Sequence, residues 1–173
     1  MDLQVREATV KDISVISELG RTTYKDHFSD IWHDIDTFLD NDFTEDAIQT
    51  CINSPSESRY YLAMHENRLV GFAKLNLNTE LHDRGCPCIE LQKIYLKKEC
   101  VGMNIGSILM EKVAKLASET RSKYIWLDVL KTNTQAQNFY QKHGFHVIDE
   151  IPYKTDKYEI GMLVMAKSLH GNK

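Results

Sequence analysis

The chain is poor in residues that punctuate or crosslink a fold. Only three prolines (Pro55, Pro87, Pro152) and eight glycines occur among its 173 residues. No Pro/Ser linker, low-complexity tract or internal repeat divides it, so a single domain over 1–173 is expected. No apolar run approaches the length of a membrane span, and no membrane partner is expected. Basic charge is not in excess: 21 Lys and Arg face 25 Asp and Glu. The net charge of −4 counts against a nucleic-acid partner, which usually meets a basic face. The opening "MDLQVREATVKD" has neither the basic start nor the apolar stretch of a signal peptide. The four cysteines (Cys51, Cys86, Cys88, Cys100) have no spacing that demands disulfides. Together these features predict a cytoplasmic protein. Cys86-Pro87-Cys88 with His82 nearby makes half a metal site, but no second Cys/His pair stands at ligand spacing. No metal is expected, and the thiols read as incidental.

What is present is a clear alternation of elements. The 42% hydrophobic content is enough for a real core. "QVREAT" (4–9) alternates as a strand, and Thr9 or Asp12 can cap the helix whose face carries Ile13, Ile16, Leu19 and Gly20. Residues 27–46 are acidic and mixed, reading as loop plus short helix. A further helix starts at Thr44 and runs to about Asn53. A hairpin follows, with strands 59–65 and 68–78 around a turn at Glu66-Asn67. "CIELQKIYL" (88–96) is a strand, 104–120 a helix, 123–130 a buried strand and 133–144 a helix ended by Gly144. "FHVIDE" and "KYEIGMLVMAKSL" close the chain as strands. The order β-α-(α)-β-β-β-α-β-α-β-β predicts an α/β (α+β) domain around one mixed sheet.

The junction "KIYLKKECVGMNIGSILMEKV" places a two-glycine loop between a strand and a helix. Gly102 and Gly106 lack the spacing of the P-loop, and the dinucleotide fingerprint is absent as well. A strand, a loop with free N–H groups and a helix N-terminus still favour an anion. A plain β–α turn is the simpler alternative. The apolar positions Ile105, Ile108, Leu109, Val113 and Leu116 form a helical core face.

"LQKIYLKKECVGMNIGSILMEKV" followed by "YIWLDVLKTNTQAQNFYQKHGF" resembles the second half of a GCN5-related N-acetyltransferase (GNAT). That family's loop reads [Q/R]-x-x-G-x-[G/A] after a strand ending like "IYV". Its second signature is an Asn before "A-x-x-F-Y-x-x-x-G-F", here Asn133, Ala136, Phe139, Tyr140, Gly144 and Phe145. More loosely, "GRTTYKDHF" and "YYLAMHENRLVGFAKL" resemble the polyamine-acetylating bacterial branch. Two positions depart from the pattern: Val101 replaces Gln or Arg, and Asn104 replaces the first Gly. Asn tolerates the left-handed region better than other non-glycine residues, so weaker but retained pyrophosphate binding is expected.

The resemblance implies a largely antiparallel GNAT-like sheet flanked by helices. It also implies acetyl transfer from acetyl-CoA to a primary amine by direct attack in a ternary complex. Backbone groups of Ile94, Tyr95 and Leu96 would meet the acetyl carbonyl. The loop Val101, Gly102, Met103, Asn104, Ile105, Gly106 and Ser107 would wrap the pyrophosphate. Asn133 would hydrogen-bond the pantetheine or the adjacent strand, Phe139 and Tyr140 would lie along the cofactor, and Lys142 would meet a CoA phosphate. Tyr140 occupies the general-acid position, where a phenol can protonate the departing thiolate. A core tyrosine beside Phe139 is the alternative. The amine must first lose a proton, because an alkylammonium of pKa about 10.4 is only ~0.04% neutral at pH 7, roughly 4.6 kcal/mol uphill. Glu90, just before the thioester-aligning segment, is the candidate base, or it is a strand-end glutamate facing solvent.

The stretch 30–46 carries seven carboxylates (Asp30, Asp34, Asp36, Asp40, Asp42, Glu45, Asp46), no Lys or Arg, and the aromatics Trp32, Phe38 and Phe43. In the resembled fold this region walls the acceptor site, and the combination suits spermidine or spermine. A solvated acidic face explains the pattern as well. Competing readings keep acetyl-CoA but change the acceptor to a peptide, lysine, amino acid or aminosugar, or make the chain a non-catalytic CoA sensor. The final "IGMLVMA" can pair with a second chain as a homodimer edge, or lie in the core.

Overall fold

The computed structural model describes residues 2–81 and 84–169; His82 of the cysteine loop lies outside them. In chain order the elements are β1 (Leu3–Glu7), α1 (Ile13–Phe28), α2 (Ile35–Asp42), α3 (Glu45–Ile52), β2 (Ser58–His65), β3 (Arg68–Thr79) and β4 (Cys88–Leu96). They continue as α4 (Ile105–Glu119), β5 (Tyr124–Leu130), α5 (Thr134–Lys142), β6 (His146–Ile151) and β7 (Met162–Ser168). The seven strands form one sheet in the order β1-β2-β3-β4-β5-β7-β6. Every neighbouring pair is antiparallel except β4–β5, as the predicted mixed sheet requires.

Period-two alternation explains how the sheet buries both faces. Tyr60 and Leu62 of β2 point one way, into a core with Ile16 and Leu19 of α1, Leu39 of α2 and Ile48 of α3. Tyr61 and Ala63 point the other way, against Leu109, Val113 and Leu116 of α4 and Tyr140 of α5. The sheet is thus covered by α1–α3 on one face and α4–α5 on the other. Gly20 sits where α1 crosses Phe43, and a Cβ there would lie 2.4 Å from that ring. The α1 face therefore needs glycine at this point, and Ser17 Oγ donates to the Phe43 carbonyl at 2.6 Å beside it.

Local chemistry accounts for the element ends. Thr44 caps α3 by accepting the Ala47 N–H at 3.2 Å. The β2–β3 turn places Glu66 and Asn67 at φ 49° and 61°, the paired left-handed conformation of a tight hairpin. Residues 35–42 form the short helix expected within the acidic stretch, capped by Asp34, whose carboxylate takes the Thr37 N–H at 3.1 Å. One expectation needs correction. The last strand starts at Met162 rather than Lys157, because Gly161 adopts φ +81° and the preceding residues close on themselves through a Lys154–Glu159 bridge.

Candidate active site

β4 and β5 pair only from Cys88–Glu90 to Tyr124–Trp126. Beyond Glu90 the strands separate, and among the described residues no strand pairs with that edge of β4 from Leu91 to Leu96. The two strands diverge because β5 stays paired along its whole length with β7, while β4 stays with β3. On the β3 side the register slips at Gln92, so Leu91 faces Leu75 and Lys93 faces Lys74. This bulge turns Lys93 and Tyr95 toward α1–α2, while Ile94 and Leu96 pack on the α4 side.

The opening between the strands is a cleft of about 1110 Å³. β4 contributes Glu90, Ile94, Tyr95 and Leu96; the following loop and α4 contribute Val101, Gly102, Asn104, Ile105, Gly106 and Ser107. Asn133, Phe139, Tyr140 and Lys142 of the α5 segment complete that side. All the sequence-predicted site residues therefore meet at one cleft except Met103, whose side chain packs against the α4-side core instead.

The loop between β4 and α4 is opened by two residues in the left-handed region. Gly102 lies at φ +86°, and a Cβ there would meet nothing within 4 Å. Asn104 sits at φ 66°, ψ 9°, taking the left-handed position that glycine holds in the resembled pattern. Among the described residues no acceptor takes the N–H groups of Gly102, Asn104, Ile105, Gly106 or Ser107, whereas Ile108 N–H already bonds the Asn104 carbonyl at 3.2 Å. Five donors and an open cradle at the start of a 15-residue helix fit a pyrophosphate. Gly106 lets α5 approach: its Cβ would stand 3.2 Å from Phe139 Cζ.

Tyr140 is 8% exposed, yet its hydroxyl has no hydrogen-bond partner among the described residues and opens on the cleft. Burial pushes its phenol well above the ordinary range, so it holds its proton throughout neutral and mildly alkaline pH. Glu90 is half-buried in the cleft and its Oε2 accepts from Asn76 Nδ2 at 2.9 Å. Asn133 caps α5, accepting the Ala136 N–H at 3.2 Å, and so fixes the helix that carries Tyr140.

Several cleft residues escaped the sequence reading. His143 Nε2 lies 3.1 Å from Ser107 Oγ, and its ring centroid is 4.6 Å from that of Phe139 with the planes tilted by 53°. Burial, then nearby Lys167, lowers its pKa, leaving a neutral imidazole at pH 7. The register of "FYQKHGF" could have flagged it, one turn beyond Phe139. On the other side stand Tyr24, Phe28 and Tyr153 of the β6–β7 connection, beside Phe38 of the expected acceptor wall. Trp32 Nε1 donates to Tyr24 Oη at 3.1 Å and stacks 4.6 Å from Phe38.

The acidic stretch is largely spoken for. Asp40 pairs with Arg21, Asp36 with Lys25, and Asp34 caps α2. Only Asp42 of the seven carboxylates lines the cleft, and its Oδ2 is 2.7 Å from Nζ of the buried Lys93, which also lies 5.0 Å over the Phe43 ring. Phe43 itself is core. Among the described residues no group of three or more His, Cys, Asp or Glu could hold a metal. No helix there is long and apolar enough to cross a membrane.

An uncharacterized N-acetyltransferase of Lactobacillus delbrueckii subsp. lactis is 26% identical over 148 residues, covering 82% of this chain and 83% of the relative. The spermidine N(1)-acetyltransferase of Thermoplasma acidophilum is 23% identical, covering 86% and 91%. Among solved structures, PaiA N-acetyltransferase from Thermoplasma acidophilum in complex with coenzyme A superposes with a TM-score of 0.79 at 23% identity, covering 97% and 99%. A ribosomal-protein-alanine N-acetyltransferase from Brucella melitensis superposes at 0.77 with 18% identity, covering 96% and 99%. Residues 21–145 match the Acetyltransferase (GNAT) family, and the chain belongs to it.

Proposed function

We propose that this N-acetyltransferase acetylates a polyamine such as spermidine or spermine, with Glu90 relaying the amine proton and Tyr140 serving as general acid. The reading rests above all on one juxtaposition: a protonated Tyr140 hydroxyl and a β4 edge, both without a partner among the described residues, share a single cleft with the half-buried Glu90. Acetyl-CoA, the co-substrate, supplies the acetyl group as a thioester. The N–H groups of Gly102, Asn104, Ile105, Gly106 and Ser107 hold its pyrophosphate, and Lys142, which lines the same cleft, meets a phosphate. Backbone groups along Ile94–Leu96 polarise the acetyl carbonyl, an arrangement that can supply a few kcal/mol. Glu90, directly or through water, takes the proton that makes the amine nucleophilic. Tyr140 gives its proton to the departing sulfur, whose conjugate thiol has pKa near 8.5, and the phenol regains a proton from solvent.

The acceptor class is supported by the aromatic rings of Tyr24, Phe28 and Phe38 beside the carboxylates of Asp42 and Glu90, which suit an extended cation. The name of the Thermoplasma acidophilum relative points the same way. The test is thiol release from acetyl-CoA over a panel of spermidine, spermine, lysine, a peptide N-terminus and an aminoglycoside. Turnover concentrated on the polyamines, with KM rising as salt is added, is expected. Preference for another member would replace the polyamine and keep the chemistry. Acetyl-CoA binding without turnover on any amine would favour a sensor.

A further inference from the structure

The connection between β6 and β7 crosses to the segment just before α2 and is fastened there by a set of polar contacts. The carboxylate of Asp156 accepts two backbone N–H groups, from His33 and Asp34, each at 2.8 Å. Thr155 Oγ1 donates to the Ile31 carbonyl at 2.6 Å, and Lys157 Nζ donates to the Asp30 carbonyl at 3.1 Å. The partners are more than 120 residues apart in sequence, so these bonds join two otherwise separate walls. Tyr153, three residues before Asp156, lines the cleft from one wall; Phe38 and Asp42, carried by α2, line it from the other.

The fastening acts on α2 at its root. Asp34 donates its N–H to the Asp156 carboxylate while its own side chain caps α2 through Thr37. A carboxylate with two N–H donors is a charge-assisted, directional anchor. The donors' direction and the β6–β7 turn closed by the Lys154–Glu159 bridge together set where Tyr153 stands relative to Phe38. Apart from Thr155, which is half-buried, the fastening residues are exposed, so their loss leaves the core untouched.

We propose that Asp156 is a positioning residue for the acceptor: it clasps the β6–β7 connection to the start of α2 and thereby sets the spacing of the two acceptor walls. The role rests on the acetyltransferase reading but not on the acceptor being a polyamine. It lies away from the pyrophosphate loop, so it separates acceptor from acetyl-CoA. Asp156→Ala loses both bonds; Asp156→Asn keeps one acceptor oxygen without its charge.

The experiment is steady-state kinetics of the wild type, Asp156→Ala and Asp156→Asn, using whichever amine of the panel the wild type turns over fastest. Amide hydrogen exchange at His33 and Asp34 is read alongside. In Asp156→Ala the acceptor KM should rise by about fivefold to tenfold, with kcat and the acetyl-CoA KM within about twofold of wild type. Exchange at the two amides should accelerate, the melting temperature should hold, and Asp156→Asn should fall between. An unchanged acceptor KM, or an equal rise in the acetyl-CoA KM, would overturn the proposal. A fastest amine other than a polyamine would overturn only the acceptor class.

Discussion

Asn76 and Glu90 face each other across β3 and β4, and the Asn76 amide donates to the Glu90 carboxylate at 2.9 Å. The bond holds the carboxylate at the point where β4 leaves β5. A glutamate fixed there can serve as proton acceptor for an amine entering the cleft. Glu90→Gln keeps the shape and the position but removes the base. The expected result is a kcat/KM about a hundredfold lower at pH 7. The deficit should shrink as pH rises toward 10, because more of the amine is then neutral without help. A pH-independent deficit would speak for a binding role.

The second prediction concerns Asn104. A β-branched residue at φ 66° is strained by roughly 1–2 kcal/mol, whereas glycine is at ease there. Asn104→Val should raise the acetyl-CoA KM by about tenfold, the equivalent of that strain. Asn104→Gly should match wild type or improve on it. Acetyl-CoA titration of the three proteins provides the check. Equal affinity of the valine variant would show that the left-handed turn is dispensable.

Asp42 and Lys93 predict an asymmetry. Lys93 is 8% exposed and Asp42 is at the boundary of the cleft, so removing Asp42 strands the more deeply buried charge. Asp42→Ala should destabilise the fold by about 2 kcal/mol, discounted from a fully buried pair because Asp42 is partly solvated. Lys93→Met, which replaces the stem and deletes the charge, should cost less. Urea unfolding of both variants measures this. A greater loss from Lys93→Met would mean that the packing of the lysine stem on Phe43 outweighs the charge pair.

Acid sensitivity should be visible at the start of the chain. Arg6 makes two 2.8 Å contacts to the Asp12 carboxylate, which also takes the Thr9 N–H at 2.8 Å. The hydrogen bond to Arg6 is the main cause that holds the Asp12 pKa down to about 2. A depressed carboxylate stabilises the fold above its unfolded pKa near 3.8, and the contribution is lost as pH falls toward 2. The contribution is about 1–2 kcal/mol, reduced by the half-exposed Arg6. Asp12→Asn should lose that stability at pH 7 and show a flatter acid limb between pH 4 and 2. Parallel acid limbs for the two proteins would contradict the assignment.

What the sequence makes legible divides by range. Elements with strong period and local caps were legible: the Glu66-Asn67 turn, the Thr44 cap and the α4 stripe each depend on neighbours within a few residues. The loop was legible for the same reason, since Asn104 announces its left-handed backbone by residue type. The charge state of the 30–46 segment was not legible. Its neutralising partners, Arg21, Lys25 and Lys93, come from α1 and β4, and no local pattern reveals them. The Gln92 bulge and the separation of β4 from β5 were equally hidden, because both arise from competing strand partners. The residues of the last strand looked continuous in hydropathy, and only the conformation of Gly161 breaks them.

The central claim is that Tyr140 donates the proton that the leaving sulfur takes. Its phenol stays protonated because burial raises its pKa, so its contribution should not fade on the alkaline side of neutrality. The decisive measurement is kcat of Tyr140→Phe and wild type from pH 6 to 9 with saturating acetyl-CoA and amine. The account predicts a loss of about a hundredfold that is nearly constant over this range, with acetyl-CoA binding retained. A kcat equal to wild type across the range would contradict it and return Tyr140 to the core.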